Sequence, residues 1–536
     1  MKSFRKRFSA LILLLVLSFT LSACQTDTLE PVYLDDKYDT YYEIFVHSFA
    51  DSNSDGIGDL KGLSAKLDYV NDGDDKSTDD LGATGIWLMP IHPSPTYHKY
   101  DVTNYLEIDP DYGTLDDFDE FISEAHDRGI KVILDLVMNH TSNQHPWFKE
   151  AVSALESGDL DNKYIDYYFF EKEKVNDAWY PVGNTGYFYE GKFWSGMPDL
   201  NLDNEDVKSE FEEVMRFWLI DHNVDGFRLD AVKEYDSGND PHNIEILSWI
   251  NDTAKSIKED AYIVGEVWDS FAKIKEYYES GIDSFFDFPF GQQGGITVKD
   301  VNMKDGQDYA ENLEILDRSI HEINKDAINA SFMSNHDTGR LAGFVAEDID
   351  KLRLVAAANL FTSGNSFIYY GEEIGMRGSG NDENKRVALL WSEDDEYLTD
   401  NPDNTNERYY DYSFGSVKEQ AEDENSLLNY YKKVIRINQA FPEISRGKTQ
   451  KAKGIEEKPL AAFTKTWTDQ DSEQHDILIV MNFDNKNSAQ TDLSQGEYKD
   501  YELVTSLNNA AGQEVVYKDG LLNLPAATVA LLKPAK

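Results

Sequence analysis

The chain runs to 536 residues, too many for one compact core and enough for two or three domains. Its 100 acidic against 50 basic side chains give a formal charge of −50, which excludes nucleic acid as a partner and suits cation binding and solubility at high salt or alkaline pH. With 40% apolar and 13% aromatic residues the chain is folded, and its aromatics serve cores or flat apolar ligand faces.

The first residues, MKSFRKRFSALILLLVLSFTLSAC, carry Lys2, Arg5, Lys6 and Arg7 and then an apolar run from Leu11 to Leu21. That is an export signal, too short for a membrane span of ~20 residues. Leu21-Ser22-Ala23-Cys24 resembles the lipobox of bacterial lipoproteins, in which the cysteine is lipidated and becomes the first residue. Cys24 is the only cysteine, so no internal disulfide is possible. The expectation is a signal peptide over 1–23 and a tether over 24–37. The protein is then exported and anchored by lipid at Cys24 to the bacterial cell membrane, facing outward.

A strand is predicted over 41–49, and DSNSDGIGD (51–59) follows it directly. Asp51, Asn53, Asp55, Gly56, the Ile57 carbonyl and Asp59 match positions 1, 3, 5, 6, 7 and 9 of an EF-hand calcium loop. Position 12, normally Glu, is Gly62. A broken EF-hand, an acidic turn and a different calcium site all remain open on these residues alone. Further strand-like runs lie at 82–91, 131–138, 225–232, 261–268, 284–290, 329–337 and 365–375. Helical patterns fall between most of them, at 206–222, 242–257, 311–326 and 349–362, and a last helix at 426–441 closes the set.

Eight buried strands alternating with helices predict a closed parallel (β/α)8 barrel, of TIM type. An open doubly wound sheet is disfavoured because no Gly-rich phosphate turn is present. The connection after strand 3 exceeds sixty residues and reads as an inserted domain over 139–205. The barrel then occupies 38–138 and 206–444. Short alternating strands from 445 to 536 predict a C-terminal antiparallel β-sandwich.

Active sites of such barrels lie at the C-terminal strand ends. There the sequence places Asp135, Asn139 and His140 on strand 3, Arg228 and Asp230 on strand 4, Glu266 on strand 5, and Asn335-His336-Asp337 on strand 7. A single strand-end carboxylate is usually a cap or a partner for a neighbouring base; three on separate strands at one level point to chemistry. Arg228 and Asp230 share a face of their strand, so the guanidinium holds Asp230 ionised. Adjacent strands lie ~4.8 Å apart, and carboxyl groups ~5–5.5 Å apart are the geometry of a retaining glycosidase. Desolvation beside Val267 and Trp268 suits Glu266 to general acid catalysis. Metal-assisted hydrolysis through His140 and His336 is the rival, but no HxxxH or HxH spacing appears.

DLVMNH (135–140), GFRLDAVKE (226–234), GEVW (265–268) and FMSNHD (332–337) resemble the four sequence regions of the α-amylase family of glycoside hydrolases, family 13. MPDLN (197–201) resembles its fifth region, in the form of the group intermediate between oligo-1,6-glucosidases and neopullulanases. YDVTNY (100–105) and YYGEEIGM (369–376) also fit, and the resemblance spans roughly 38–536.

It implies Asp230 as nucleophile, Glu266 as acid and base, and Asp337 as transition-state stabiliser. Arg228, His140, His336, Tyr100 and Lys233 become substrate-binding or orienting residues, with Asp135 structural. It also implies a structural Ca²⁺ held by Asp51, Asn53, Asp55, Ile57 and Asp59, and a second calcium near Asn139. The substrates it implies are starch and other α-glucans, with lipoprotein α-amylases as the nearest kind. Ala231 after the nucleophile, Tyr97 where exo-acting α-glucosidases carry Asp, and Lys233 favour endo cleavage of α-1,4 bonds. Glu234 in place of His, and RVALLW (386–391) against the RxPMxW pattern of oligo-1,6-glucosidases, are departures. Neopullulanase, α-glucosidase or oligo-1,6-glucosidase activity is the alternative, and a non-catalytic starch-binding lipoprotein is the remote one.

Overall fold

The computed structural model describes residues 29–535; the signal segment and Cys24 lie outside the described residues. Eight parallel strands close into a barrel: β1 (Thr40–Ile44), β2 (Gly85–Leu88), β3 (Lys131–Leu136), β4 (Gly226–Leu229), β5 (Tyr262–Gly265), β6 (Ser284–Phe286), β7 (Ile328–Phe332) and β8 (Asn365–Tyr369). Each pairs in parallel with its sequence neighbours, and β1 closes on β8 through Thr40–Ser366 to Glu43–Tyr369. The eight predicted strands are these eight, each shorter than the apolar run that announced it.

Large rings fill the barrel interior. Tyr41 stacks on Phe367 and Tyr262 at 4.9 and 5.4 Å, and Phe286 packs on Trp87 and Phe367 at 5.3 and 4.9 Å. Gly85 makes this possible, since a Cβ there would stand 2.4 Å from the Tyr41 ring. The helices present apolar stripes to this barrel. In Glu205–Arg216, Val207, Phe211, Val214 and Met215 are buried at helical spacing, and the Asn204 side chain caps the first turn.

The first described residues are not a free spacer. Val32 N–H donates to the Gln439 carbonyl, Asp36 pairs with Arg446 at 2.6 Å and Lys37 with Asp283 at 2.9 Å. The segment after β3 holds a helix (Pro146–Ser157) and a small sheet of Phe170–Glu171, Phe188–Glu190 and Trp179–Pro181. Beyond the barrel lie two antiparallel sheets. One has five strands, with Leu460–Thr468 and Gln474–Asn482 at its centre; the other has three. Leu478, Val480 and Leu532 from the first pack with Leu522 and Leu524 from the second.

Candidate active site

The C-terminal strand ends converge on one guanidinium. Arg228, wholly buried on β4, donates from Nη1 to Asp135 Oδ1 at 2.9 Å and to Asp230 Oδ1 at 2.7 Å. Its Nη2 lies 2.8 Å from Glu266 Oε2, outside hydrogen-bonding direction, while the Ala231 N–H donates to that same oxygen at 3.0 Å. Ala231 adopts φ +47°, a left-handed turn that ends β4 and aims its N–H at Glu266.

Burial and neighbouring charge act differently on Glu266, Asp135 and Asp337. Glu266 is pushed above the usual carboxylate range by burial, which Arg228 only partly offsets, with Asp230 adding to the rise. Asp135 is raised to about 7 by burial, against the pull of Arg228. Asp337 goes the other way. Burial opposes its charge, but His336 and Arg386 outweigh that and hold it well below the ordinary range. Its Oδ2 lies 3.1 Å from His336 Nε2 and its Oδ1 accepts from Arg386 Nη2 at 2.9 Å.

Tyr100 O–H donates to Asp135 at 2.9 Å and its oxygen sits 2.7 Å from His336 Nε2. His140 is buried with Nε2 free of any hydrogen bond, and burial lowers its pKa, so the ring is neutral. Above this floor opens a cleft of about 450 Å³ lined by Tyr100, His140, Asp230, Glu266 and Asp337. Three half-exposed rings edge it: Phe193 and Trp194 from the inserted segment, and Trp268 after β5.

Asp230, Glu266, Asp337, Tyr100 and His140 therefore share one cleft, with Arg228 and His336 packed beneath it. Lys233 stands apart from the lining, paired with Asp269 at 3.0 Å. Sequence reasoning named Arg386 only as the start of a divergent motif and passed over His98, Asp382, Phe193 and Trp194. All five line the cleft. Their shared signal is a run of aromatic and charged residues in long connections.

The predicted calcium loop is a series of turns. Asp51, Asn53 and Asp55 each accept the N–H two residues on, Asp51 Oδ2 also takes Gly56 N–H at 2.7 Å, and Gly56 sits at φ +89°. Asp59 caps helix Leu60–Ala65 and takes Ser52 N–H on its other oxygen. Asp51 Oδ1 and Asp59 Oδ2 each already accept two hydrogen bonds, but Asp51 Oδ2, Asn53 Oδ1, Asp55 Oδ1 and Asp59 Oδ1 accept one each and keep a lone pair, so the hard-oxygen donor set fits Ca²⁺. Asp51, Asp55 and Asp59 do not form one tight carboxylate cluster. Among the described residues the group with atoms within 4.8 Å is Asp469, Glu473 and His475, on a hairpin of the C-terminal sheet. Near Asn139, its Nδ2 donates to Asp199 at 3.1 Å while its buried Oδ1 has no partner. Burial lifts Asp199 to about 8.

A closed β/α barrel with an arginine-bridged carboxylate pair and a third acid at its C-terminal mouth defines a glycoside hydrolase site. The family model described as "Alpha amylase, catalytic domain" matches residues 43–447, and the chain belongs to the α-amylase family, glycoside hydrolase family 13. It is 42% identical to alpha-amylase 3 of Dictyoglomus thermophilum over 446 residues, 81% of this chain and 82% of that one. It is 28% identical to an oligo-1,6-glucosidase of Parageobacillus thermoglucosidasius over 87% and 93% of the two chains. The solved structure of Eubacterium rectale Amy13B superposes with a TM-score of 0.87 at 41% identity, covering 95% of this chain and 98% of that one.

Proposed function

We propose that the chain is an endo-acting α-amylase that hydrolyses α-1,4-glucosidic bonds of starch, amylose and maltooligosaccharides with retention of configuration. The observation that carries this reading is the Arg228 guanidinium, with Asp230 and Glu266 on its two amino groups under an open, aromatic-edged cleft.

Asp230, held at 2.7 Å by Arg228, attacks the anomeric carbon as the bond to the leaving glycosidic oxygen breaks. Glu266, its neutral form favoured by burial, gives its proton to that oxygen. The resulting Glu266 carboxylate then takes a proton from water, whose oxygen displaces Asp230 and completes retention. Asp337, held ionised, accepts hydrogen bonds from sugar hydroxyls that strengthen as the ring distorts. The free Nε2 of neutral His140 faces the same sugar, and Tyr100 forms the floor beneath it. The small Ala231 in the lining and the aromatic edges favour a chain passing through the cleft.

The alternative is cleavage of α-1,6 bonds or of short ends, as in neopullulanases, α-glucosidases and oligo-1,6-glucosidases. MPDLN and the oligo-1,6-glucosidase relative favour it. A time course on amylose, pullulan, isomaltose and cyclodextrin with product sizing decides. Mid-length maltooligosaccharides should precede glucose from amylose; glucose alone, or isomaltose cut as fast as amylose, overturns the endo reading. Asp230→Asn should abolish turnover, and hydrolysis at the parent's rate would remove Asp230 as nucleophile.

Ca²⁺ on Asp51, Asn53, Asp55, the Ile57 carbonyl and Asp59 would stiffen the first βα loop and take no part in bond cleavage. A second cation between Asn139 Oδ1 and Asp199 would satisfy the orphaned acceptor and return Asp199 to its ionised form. Chelation should lower the melting temperature; an unchanged melt counts against both sites. We propose further that the mature protein lies outside the cell, tethered by lipid at Cys24, a reading supported by the resemblance of Leu21-Ser22-Ala23-Cys24 to a lipobox. Radiolabelled palmitate should label the expressed chain and not Cys24→Ser.

A further inference from the structure

Glu43 lies on β1, wholly inside the barrel, and belongs to none of the motifs that marked the site. Its Oε1 is 2.6 Å from His336 Nδ1 and also faces the His336 N–H at 3.4 Å. The hydrogen bonds around His336 settle where its protons are. Tyr100 spends its O–H on Asp135, so the phenol oxygen, 2.7 Å from His336 Nε2, is an acceptor there. Nε2 therefore carries hydrogen, given to Tyr100, and the Asp337 Oδ2 charge stands 3.1 Å from it. Nδ1 faces only carboxylate and carries hydrogen as well. With both nitrogens donating, the ring is an imidazolium.

We propose that Glu43 is a positioning residue of the catalytic centre, which keeps His336 protonated and thereby holds Asp337 ionised and oriented for the transition state. The inference rests on the role given to Asp337 above. The groups facing the ring come from every packed element: Glu43 from β1, Tyr100 after β2, Asp135 from β3 through Tyr100, and Asp337 beside it. Arg386 donates to the His336 carbonyl at 3.1 Å, and Trp87 offers only its edge at 5.7 Å. Burial alone would discharge the ring, yet Asp337 and Glu43 outweigh it and raise His336 to about 10. Glu43→Gln keeps the shape and removes one of the two carboxylate charges, with Asp337 the other, that oppose burial of the ring.

The test is the pH profile of kcat and KM for Glu43→Gln on a maltooligosaccharide, with ¹⁵N-histidine spectra of both proteins. The variant should lose about tenfold or more in kcat at pH 8, with KM within a factor of two, and regain activity towards acid pH. A kcat and profile matching the parent would overturn the proposal. In the parent, the His336 signals, assigned by their loss in His336→Gln, should show both nitrogens protonated at pH 8. A neutral ring there overturns the proposal even where the variant fails to fold. Asp230→Asn separates the two layers: turnover in that variant sinks the hydrolytic assignment and leaves the His336 protonation result intact.

Discussion

The two ends of the barrel treat buried charge in opposite ways. At the N-terminal end each strand-leading acid is closed by several donors. Asp283 before β6 takes Lys37 and Lys255, both at 2.9 Å, and the Ile263 N–H of β5. Asp225 before β4 takes Lys258, His126 and the Val132 N–H of β3. Asp39 before β1 takes Lys131 and Thr84. These pairs stitch neighbouring strands together. At the C-terminal end three carboxylates, Asp135, Asp230 and Glu266, crowd one arginine, and His140 keeps an unpartnered nitrogen. Carboxylates crowded on one guanidinium mark the mouth of the cleft; acids closed by several donors tie the strands together at the other end.

Substitutions should divide along that line. The largest effect belongs to Glu266→Gln, expected to cut kcat by about 10²–10⁴-fold on starch while leaving the melting temperature unchanged or raised. A loss of fold in step with activity would mean that the mouth is structural too. Next is Asp283→Asn, which strips two ammonium groups of their partner at the base. It should cost about 2–4 kcal/mol of unfolding free energy in urea, with kcat of the folded protein intact.

Lys465 is the exception at the base. It is wholly buried on hydroxyls of Ser363 and Thr449, and burial lowers its pKa to about 7 despite the pull of Asp317. The unfolded lysine titrates near 10.4, so between these values the unfolded chain binds more protons and stability rises with pH, by up to ~1.4 kcal/mol per unit. Lys465→Met should therefore be more stable than the parent at pH 7 and lose that lead as pH approaches 10. A lead that does not change with pH would show that the ammonium is not the cause.

The barrel was legible in the sequence because parallel strands buried on both faces read as apolar runs. The three carboxylates of the cleft, Asp230, Glu266 and Asp337, were legible because they sit at the ends of those runs. Glu43 was hidden inside such a run, in TYYEI, where nothing distinguishes an inward acid from an outward one. Arg386 and Asp382 come from the connection after β8, and Phe193 and Trp194 from the segment after β3. Which side chains a long connection turns towards the mouth is decided by tertiary packing that no local periodicity records. Lys233 shows the converse: its place in a motif favoured the cleft, and Asp269 draws its side chain away.

Trp268 gives the smallest effect and the finest division of the mouth. Its sequence position, two residues after Glu266, reads as a wall that desolvates the acid. Val267, read together with it as that wall, is buried, but Trp268 is 44% exposed and stacked on Phe288 at 4.9 Å with an interplanar angle of 16°. A ring held flat by its neighbour and open on its other face is built to receive a sugar. Stacking of this kind contributes about 0.5–1.5 kcal/mol. Trp268→Ala should therefore raise KM for maltooligosaccharides about two- to tenfold with kcat nearly unchanged, and Trp268→Phe should recover most of it. If kcat falls instead and its pH profile shifts towards acid with KM constant, the ring serves the titration of Glu266, and the sequence-based expectation is the better account.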